Sequence, residues 1–325
     1  MRKFSLSVLA VLVGLTSLLT IFGSPNAFAA DVAANTLKVS PVRTDVTIEA
    51  GESKVVDIVV TNPTKNTISV HPTENDFEAG DEEGTPDIIL NDDQYSAYHS
   101  LKRLMSPIDD FTLAPNETQV VKAVITVPAD ANPGGYFGAV RFEPSTPDSG
   151  GQVNVNSSIA SLIILTVPGQ VTESMKLTNF TVERDGKSAA SFLSSTKDLD
   201  VLVRFQNTGD LQLSPSGKIT VKKGSTTVYS ANFNTESPRD LVLPSSARKW
   251  NVDIPSKYTS DFGHYTVYGT FTYGSNNQTV DIQQSFWVIT PLAIIIAAII
   301  IVLVVAGIVI LVMYLNRRKK SRAQV

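Results

Sequence analysis

From Leu292 to Tyr314 the chain carries no charged residue, and almost every side chain is aliphatic. At ~1.5 Å of rise per residue, a helix of that length crosses a hydrocarbon core ~30 Å thick. A helix packed on a soluble core keeps a polar stripe, and this run has none. It therefore reads as one transmembrane helix over residues 291–315. A basic tail, 316–325, follows with Arg317, Arg318, Lys319 and Lys320. Basic residues beside a span favour the cytoplasmic side. The expected topology is a single-pass protein of the cell membrane, with the tail inside and everything before the span outside.

The other end of the chain agrees with export. Met1-Arg2-Lys3 is basic, Phe4 to Phe22 is apolar, and Ala27-Phe28-Ala29-Ala30 offers small residues for cleavage. This is the pattern of a signal peptide over residues 1–30, cut after Ala29 or Ala30, with Ala27 at the small-residue position before the site. Two domains of ordinary size fit into the residues 31–290 that remain. The net charge is −4, and the basic residues at the two ends raise that total, so the outer part is more acidic still. An acidic exterior excludes nucleic acid as an expected partner. With no cysteine in the chain, cores alone must hold the exported domains.

Those cores are built from strands. In residues 31–170, Val55 to Val60, Ile68 to Pro72, Val120 to Val127, Gly135 to Phe142 and Ile159 to Val167 are short β-branched or apolar runs. Gly, Pro and Asn turns separate them. Leu37 to Pro41 reads as an edge strand, and Ile68 to Pro72 as the hairpin partner of Val55 to Val60. The glycines at 135 and 138 point to a bend or a close approach. Residues 171–290 repeat the pattern, with Val201 to Phe205 running into Asn207-Thr208-Gly209, a turn of residues that tolerate positive φ. A hairpin at 218–233 and a long alternating pair at 263–288 follow. The expected fold is all-β: two tandem immunoglobulin-like β-sandwiches, then a single C-terminal transmembrane helix. One segment, Tyr95 to Met105, has apolar residues at helical spacing and is expected as a short helix across one end of the first sandwich. Trp287 lies close to the span, where either the membrane interface or the second core would suit its ring.

Chemistry is sparse. His71, His99 and His264 fall in different elements with no metal-ligand spacing, so they read as structural. No glycine-rich loop precedes a helix, and no nucleophile elbow is present. No catalytic residue, cofactor or metal is expected. The acidic run from Asn75 to Gly84, continued by Asp87 and Asn91-Asp92-Asp93, has oxygen ligands that suit calcium. Its spacing departs from the twelve-residue calcium loop, so it reads as a solvated acidic loop. Asn116, Asn156, Asn179 and Asn277 stand in glycosylation sequons. Pro144 to Asn156, rich in Pro, Ser, Gly and Asp, reads as a mobile loop where a binding surface would sit.

Three stretches carry a family likeness. They are SPVRTDVTIEAGESKVVDIVVTNPT at 40–64, FTLAPNETQVVKAVITVPADANPGGYFGAVRF at 111–142 and VLVRFQNTGDLQLSPSGKITV at 201–221. With the order signal, sandwich, sandwich, span and basic tail, the chain resembles the membrane-anchored WxL-interacting proteins of Gram-positive bacteria and their relatives of unassigned function. The resemblance implies a cell-surface protein whose first domain associates with peptidoglycan and whose second binds surface proteins. The first domain is also similar to the N-terminal domain of periplasmic pilus chaperones. Two functions are expected from this. One is a scaffold or adhesion protein that binds cell-wall glycan and envelope proteins. The alternative is a membrane-tethered assembly factor that lends a strand edge to secreted subunits.

Overall fold

The structure is a computed structural model that describes residues 37–145 and 157–322. The signal region and most of the Pro144 to Asn156 loop lie outside the described residues. The first set of strands is β1 (Lys38–Ser40), β2 (Arg43–Thr47), β3 (Ser53–Thr61), β4 (Ile68–Ala79), β5 (Pro86–Ile88), β6 (Phe111–Leu113), β7 (Thr118–Thr126), β8 (Gly134–Ser145) and β9 (Ile159–Val167). They form two sheets. One has the order β1-β3-β7, and the other runs β2-β9-β8-β4-β5, with β6 also paired to β4. The chain changes sheets at Pro41, so β1 is an edge of the first sheet and β2 lies parallel to β9 in the second.

Alternation explains the inner faces. Val56, Ile58 and Val60 of β3 and Val121, Ala123 and Ile125 of β7 point inward and are buried. They meet Phe142, Ile163 and Leu165 from the facing sheet. In β8 and β9, burial extends to both faces. Phe137, Ala139 and Ile164 point away from this core into a second small cluster. A sheet buried on both faces needs a cover, and the second domain supplies it.

That domain contains β10 (Met175–Arg184), β11 (Lys187–Ser188), β12 (Ser191–Leu193), β13 (Leu199–Asn207), β14 (Ser216–Lys223), β15 (Thr226–Phe233), β16 (Ala247–Ile254), β17 (Gly263–Tyr273) and β18 (Gln278–Ile289). Its sheets run β11-β10-β13-β16 and β12-β18-β17-β14-β15. The core is aromatic: the Phe271 ring lies 5.3 Å from Phe205 and 4.9 Å from Phe233, both edge-on, the arrangement ring quadrupoles favour.

Each domain has a corner of the same kind. Asn62, just past β3, and Asn207, the last residue of β13, are both fully buried. Asn62 Nδ2 donates to the carbonyls of Asn66, Leu113 and Ala114, and its Oδ1 accepts from Thr64 N. Asn207 Nδ2 donates to Leu211 and Val242, and its Oδ1 accepts from Gly209 N. One side chain thus satisfies the backbone where a strand leaves the sheet. Gly209 is required there for space rather than for positive φ, because a Cβ would collide with the Thr172 carbonyl oxygen.

Three expectations need correction, and one open alternative is decided. Ile68 to Pro72 is not the hairpin partner of β3: β4 lies in the opposite sheet, paired with β8, and β3 pairs with β1 and β7. The helix over Tyr95 to Met105 reduces to a 3-10 turn at Lys102–Leu104. The reason lies in Asp76, whose buried carboxylate accepts from Ser96 N at 2.9 Å and Lys102 N at 2.8 Å. The Lys102 amide is thus bound outside the segment and cannot close the bond to the Tyr98 carbonyl that a helix would need. Beyond the Asp76–Gly138 pair, where β4 leaves β8, Ser100 takes its place beside Phe137. Gly138 permits that approach, since a Cβ would stand 2.9 Å from Leu101.

The acidic run is also not simply a solvated loop. Asn75 and Asp76 are buried in β4, and Asp81 Oδ1 caps a turn by accepting from the amides of Glu83, Gly84 and Thr85. Finally, Trp287 is not in the second core. Phe286 and Val288 are buried there, and Trp287 between them points outward, 46% exposed.

After β18 only Thr290 precedes α1 (Pro291–Arg322). Thr290 Oγ1 accepts from Ala293 N, an N-cap, and Pro291 occupies the first turn, where its missing N–H costs nothing. From Pro291 to Leu315 the helix is long and apolar enough to cross a membrane, and none of the described residues buries it. Ile299, Ile300, Ile301 and Val302, successive residues that point to four sides of the helix, are all exposed, so the apolar surface continues right round.

Candidate functional site

The domain junction is the most elaborated polar region of the molecule. Leu241 and Leu243 pack on the cluster of Phe77, Phe137, Ala139 and Ile164. Around that patch lies a ring of bonds. Arg204 Nε and Nη2 donate to the two oxygens of Glu82 at 2.8 and 2.6 Å, and Lys249 N donates to the Glu82 carbonyl at 2.7 Å. Tyr98 OH donates to Asp210 at 3.0 Å, Gln212 Nε2 to Thr166 Oγ1 at 2.8 Å, and Arg43 Nη1 to the Arg239 carbonyl at 2.8 Å. The Arg204 fork holds the Glu82 carboxyl below its usual range. Amide and hydroxyl donors from Thr172, together with Tyr98, do the same for Asp210. Gly135 belongs here too, because a side chain would run into Gln212.

Among the described residues two cavities remain at the junction, one of about 100 Å³ beside Arg43, Leu162, Leu241 and Arg248 and one of about 240 Å³ beside Tyr98, Phe137 and Leu243. Ligand pockets are commonly about 300–1,000 Å³. Both arginines are already engaged, Arg43 with Asp45 and Arg248 with Asp240, so the smaller cavity offers no free cation. The junction is a structural seam.

The three histidines remain apart. His71 pairs with Asp110 at 2.6 Å on the surface. His99 stacks on Tyr136 with centroids 4.4 Å apart. His264 lies against Trp287. Among the described residues no serine or threonine hydroxyl hydrogen-bonds to any of them, and no group of three or more His, Cys, Asp or Glu is placed to hold a metal ion. Of the sequons, Asn116 and Asn277 lie on exposed turns with positive φ, Asn179 is half-buried in β10, and Asn156 lies outside the described residues.

A different feature has the makings of a site. Among the described residues, the nine-residue strand β7 has one strand neighbour, β3, and on its other side only the short bridge from Met105 to Ile125 near its end. Val127 N donates to the Glu52 carbonyl and Asn62 N to Glu117, so the odd-numbered residues turn their backbone groups toward β3. The even-numbered ones face outward. Val124 O is taken by Ser106 N. Among the described residues, the outward groups of Thr118, Val120 and Lys122 have no partner. The outer face beside this edge is unusually apolar. Val55 sits opposite Val124 and Val59 opposite Val120, with Val55 and Val120 about half exposed. The one charged pair in the row, Asp57 opposite Lys122, is of opposite sign. The alternation that places these valines was legible in the sequence. That β7 ends a sheet was not, because that depends on which strand sits beside β3.

The fold is all-β, a pair of immunoglobulin-like sandwiches followed by one helix. No family model and no curated protein matches the chain. Among solved structures, the class 5 fimbriae chaperone CfaA is similar over 77% of this chain and 99% of its own, at 13% identity and a TM-score of 0.37. The E. coli chaperone DraB is similar over 78% and 96%, at 12% identity and a TM-score of 0.34. The Salmonella enterica SafA pilin in complex with the SafB chaperone gives 78% and 95%, 11% and 0.34.

Proposed function

We propose that this protein is a non-enzymatic, membrane-tethered binding protein that engages an extended segment of another exported protein along the β7 edge, as an assembly factor does. The open edge at Thr118, Val120 and Lys122 carries this reading. An added strand would bond to the outward backbone groups, and the flanking valines would receive its alternate side chains. The edge lies within the 111–142 stretch that carries the family likeness. The span would hold the two domains at the outer membrane surface, where exported chains emerge.

The test uses the full chain in its native membrane, with a photo-cross-linking residue at Val59, beside the edge on the outer face. Adducts to an exported protein that disappear in Val120→Pro support the reading, since proline blocks the edge without touching the β3 ladder. Adducts unchanged by Val120→Pro overturn it. The resemblance to WxL-interacting proteins supports a second reading, a scaffold that binds cell-wall glycan. Co-sedimentation with purified cell wall that is indifferent to Val120→Pro favours that one.

A further inference from the structure

We infer that the end of the second domain from which the helix leaves is itself a membrane-contact surface, resting in the interfacial layer of the bilayer. Three large apolar side chains are exposed there: Leu193 at 57%, Phe262 at 52% and Trp287 at 46%. They come from three separate pieces of chain that the sheet brings together. Leu193 pairs with Ile289 in the parallel β12–β18 ladder, Gly263 after Phe262 pairs with Val288, and Trp287 is on β18 itself. The Phe262 and Trp287 rings lie 6.0 Å apart.

Their depth follows from the ladder. β18 ends at Ile289, one residue before Thr290 and the start of α1. At ~3.3 Å per residue, Leu193 lies level with a point ~7 Å from the helix start and Trp287 with one ~13 Å from it. The polar interfacial layer accounts for roughly 5–8 Å on each side of the hydrocarbon core. Leu193 and Phe262 fall within that depth, a tilt of the sheet by roughly 50° from the membrane normal brings Trp287 into it as well, and the one-residue connection permits no wide separation between domain and bilayer. An apolar crevice of about 590 Å³ lies between Phe262, Trp287 and the first turns of α1 at Ile294 and Ala297. Left to water it would be a costly exposed patch. Beside a span that must sit in hydrocarbon, lipid chains are its natural filling. Amphipathic rings such as that of Trp287 favour this layer. The consequence is a second domain held against the membrane in one orientation, with β7 carried on the domain beyond it.

The experiment reconstitutes the full chain in phosphatidylcholine–phosphatidylglycerol vesicles and subtracts the fluorescence of Trp287→Phe, which isolates Trp287 from Trp250. Quenching of Trp287 by lipids brominated near the headgroup end of the chain, with shielding from aqueous iodide, is expected. Leu193→Ser with Phe262→Ser should increase the iodide quenching of Trp287 at least twofold while Trp250 is unchanged. Trp287 that is open to iodide in vesicles and insensitive to brominated lipid overturns the inference. So does iodide shielding that appears only as protein density in the vesicle rises, which assigns the patch to a second copy.

Discussion

Arg204 of the second domain holds both carboxylate oxygens of Glu82 of the first, at 2.8 and 2.6 Å. Glu82 is delivered by the turn that Asp81 caps, and its own carbonyl accepts from Lys249 N. One residue in a run that looked like solvated acid therefore connects the two sandwiches through its side chain and its backbone. Both partners are partly exposed, so the pair is worth about 1 kcal/mol rather than several. Arg204→Ala should lower the unfolding free energy from urea denaturation by that amount. A double-mutant cycle with Glu82→Ala should return a coupling of about 0.5–1 kcal/mol that weakens with salt.

The two corner asparagines should be far more sensitive. Asn62→Ala leaves the carbonyls of Leu113 and Ala114 without their donor and should cost about 2–4 kcal/mol, and Asn207→Ala should cost a similar amount. Asn62→Asp should be worse than alanine, since it turns a buried carboxylate toward those carbonyls. Urea unfolding followed by circular dichroism and by Trp250 fluorescence, which lies in the second domain, separates the two effects.

Asp200 on β13 sits directly opposite Asp253 on β16. Burial first, and then hydrogen bonding and repulsion from Asp253, push the Asp200 carboxyl up to about 6. The folded state therefore binds a proton that the unfolded state releases near 3.8. The resulting stability is present below about pH 4 and is lost as pH rises through about 6. Asp253→Asn should flatten the dependence between those values and raise the midpoint at pH 7. Urea midpoints at pH 4.5 and pH 7.5 for both proteins check this.

Neighbouring prolines report on the β7 edge. At Val120 the N–H points away from β3, so Val120→Pro should cost less than about 1 kcal/mol. At Val121 the N–H belongs to the ladder and the side chain to the core, so Val121→Pro should cost about 3 kcal/mol or more. Equal losses in thermal unfolding would mean the edge is already paired.

The sequence by itself determined the long apolar helix and the strand content, because these depend on local quantities. An uncharged apolar run long enough to cross a bilayer has one stable environment, and period-two alternation such as Val56, Ile58 and Val60 has one stable backbone. The tertiary structure decided which strands became neighbours. Val55 to Val60 and Ile68 to Pro72 look like a hairpin, yet the chain crosses to the opposite sheet between them. Tyr95 to Met105 has helical spacing, yet Asp76, well before it in the chain, captures the Lys102 amide that a helix would need. Leu241 and Leu243 look like ordinary loop residues until the outer face of β8 and β9 needs a cover. Trp287 could have faced either way, and the burial of Phe286 and Val288 on the inner side settled it. In each case the deciding partner is distant along the chain, and no local pattern records its position.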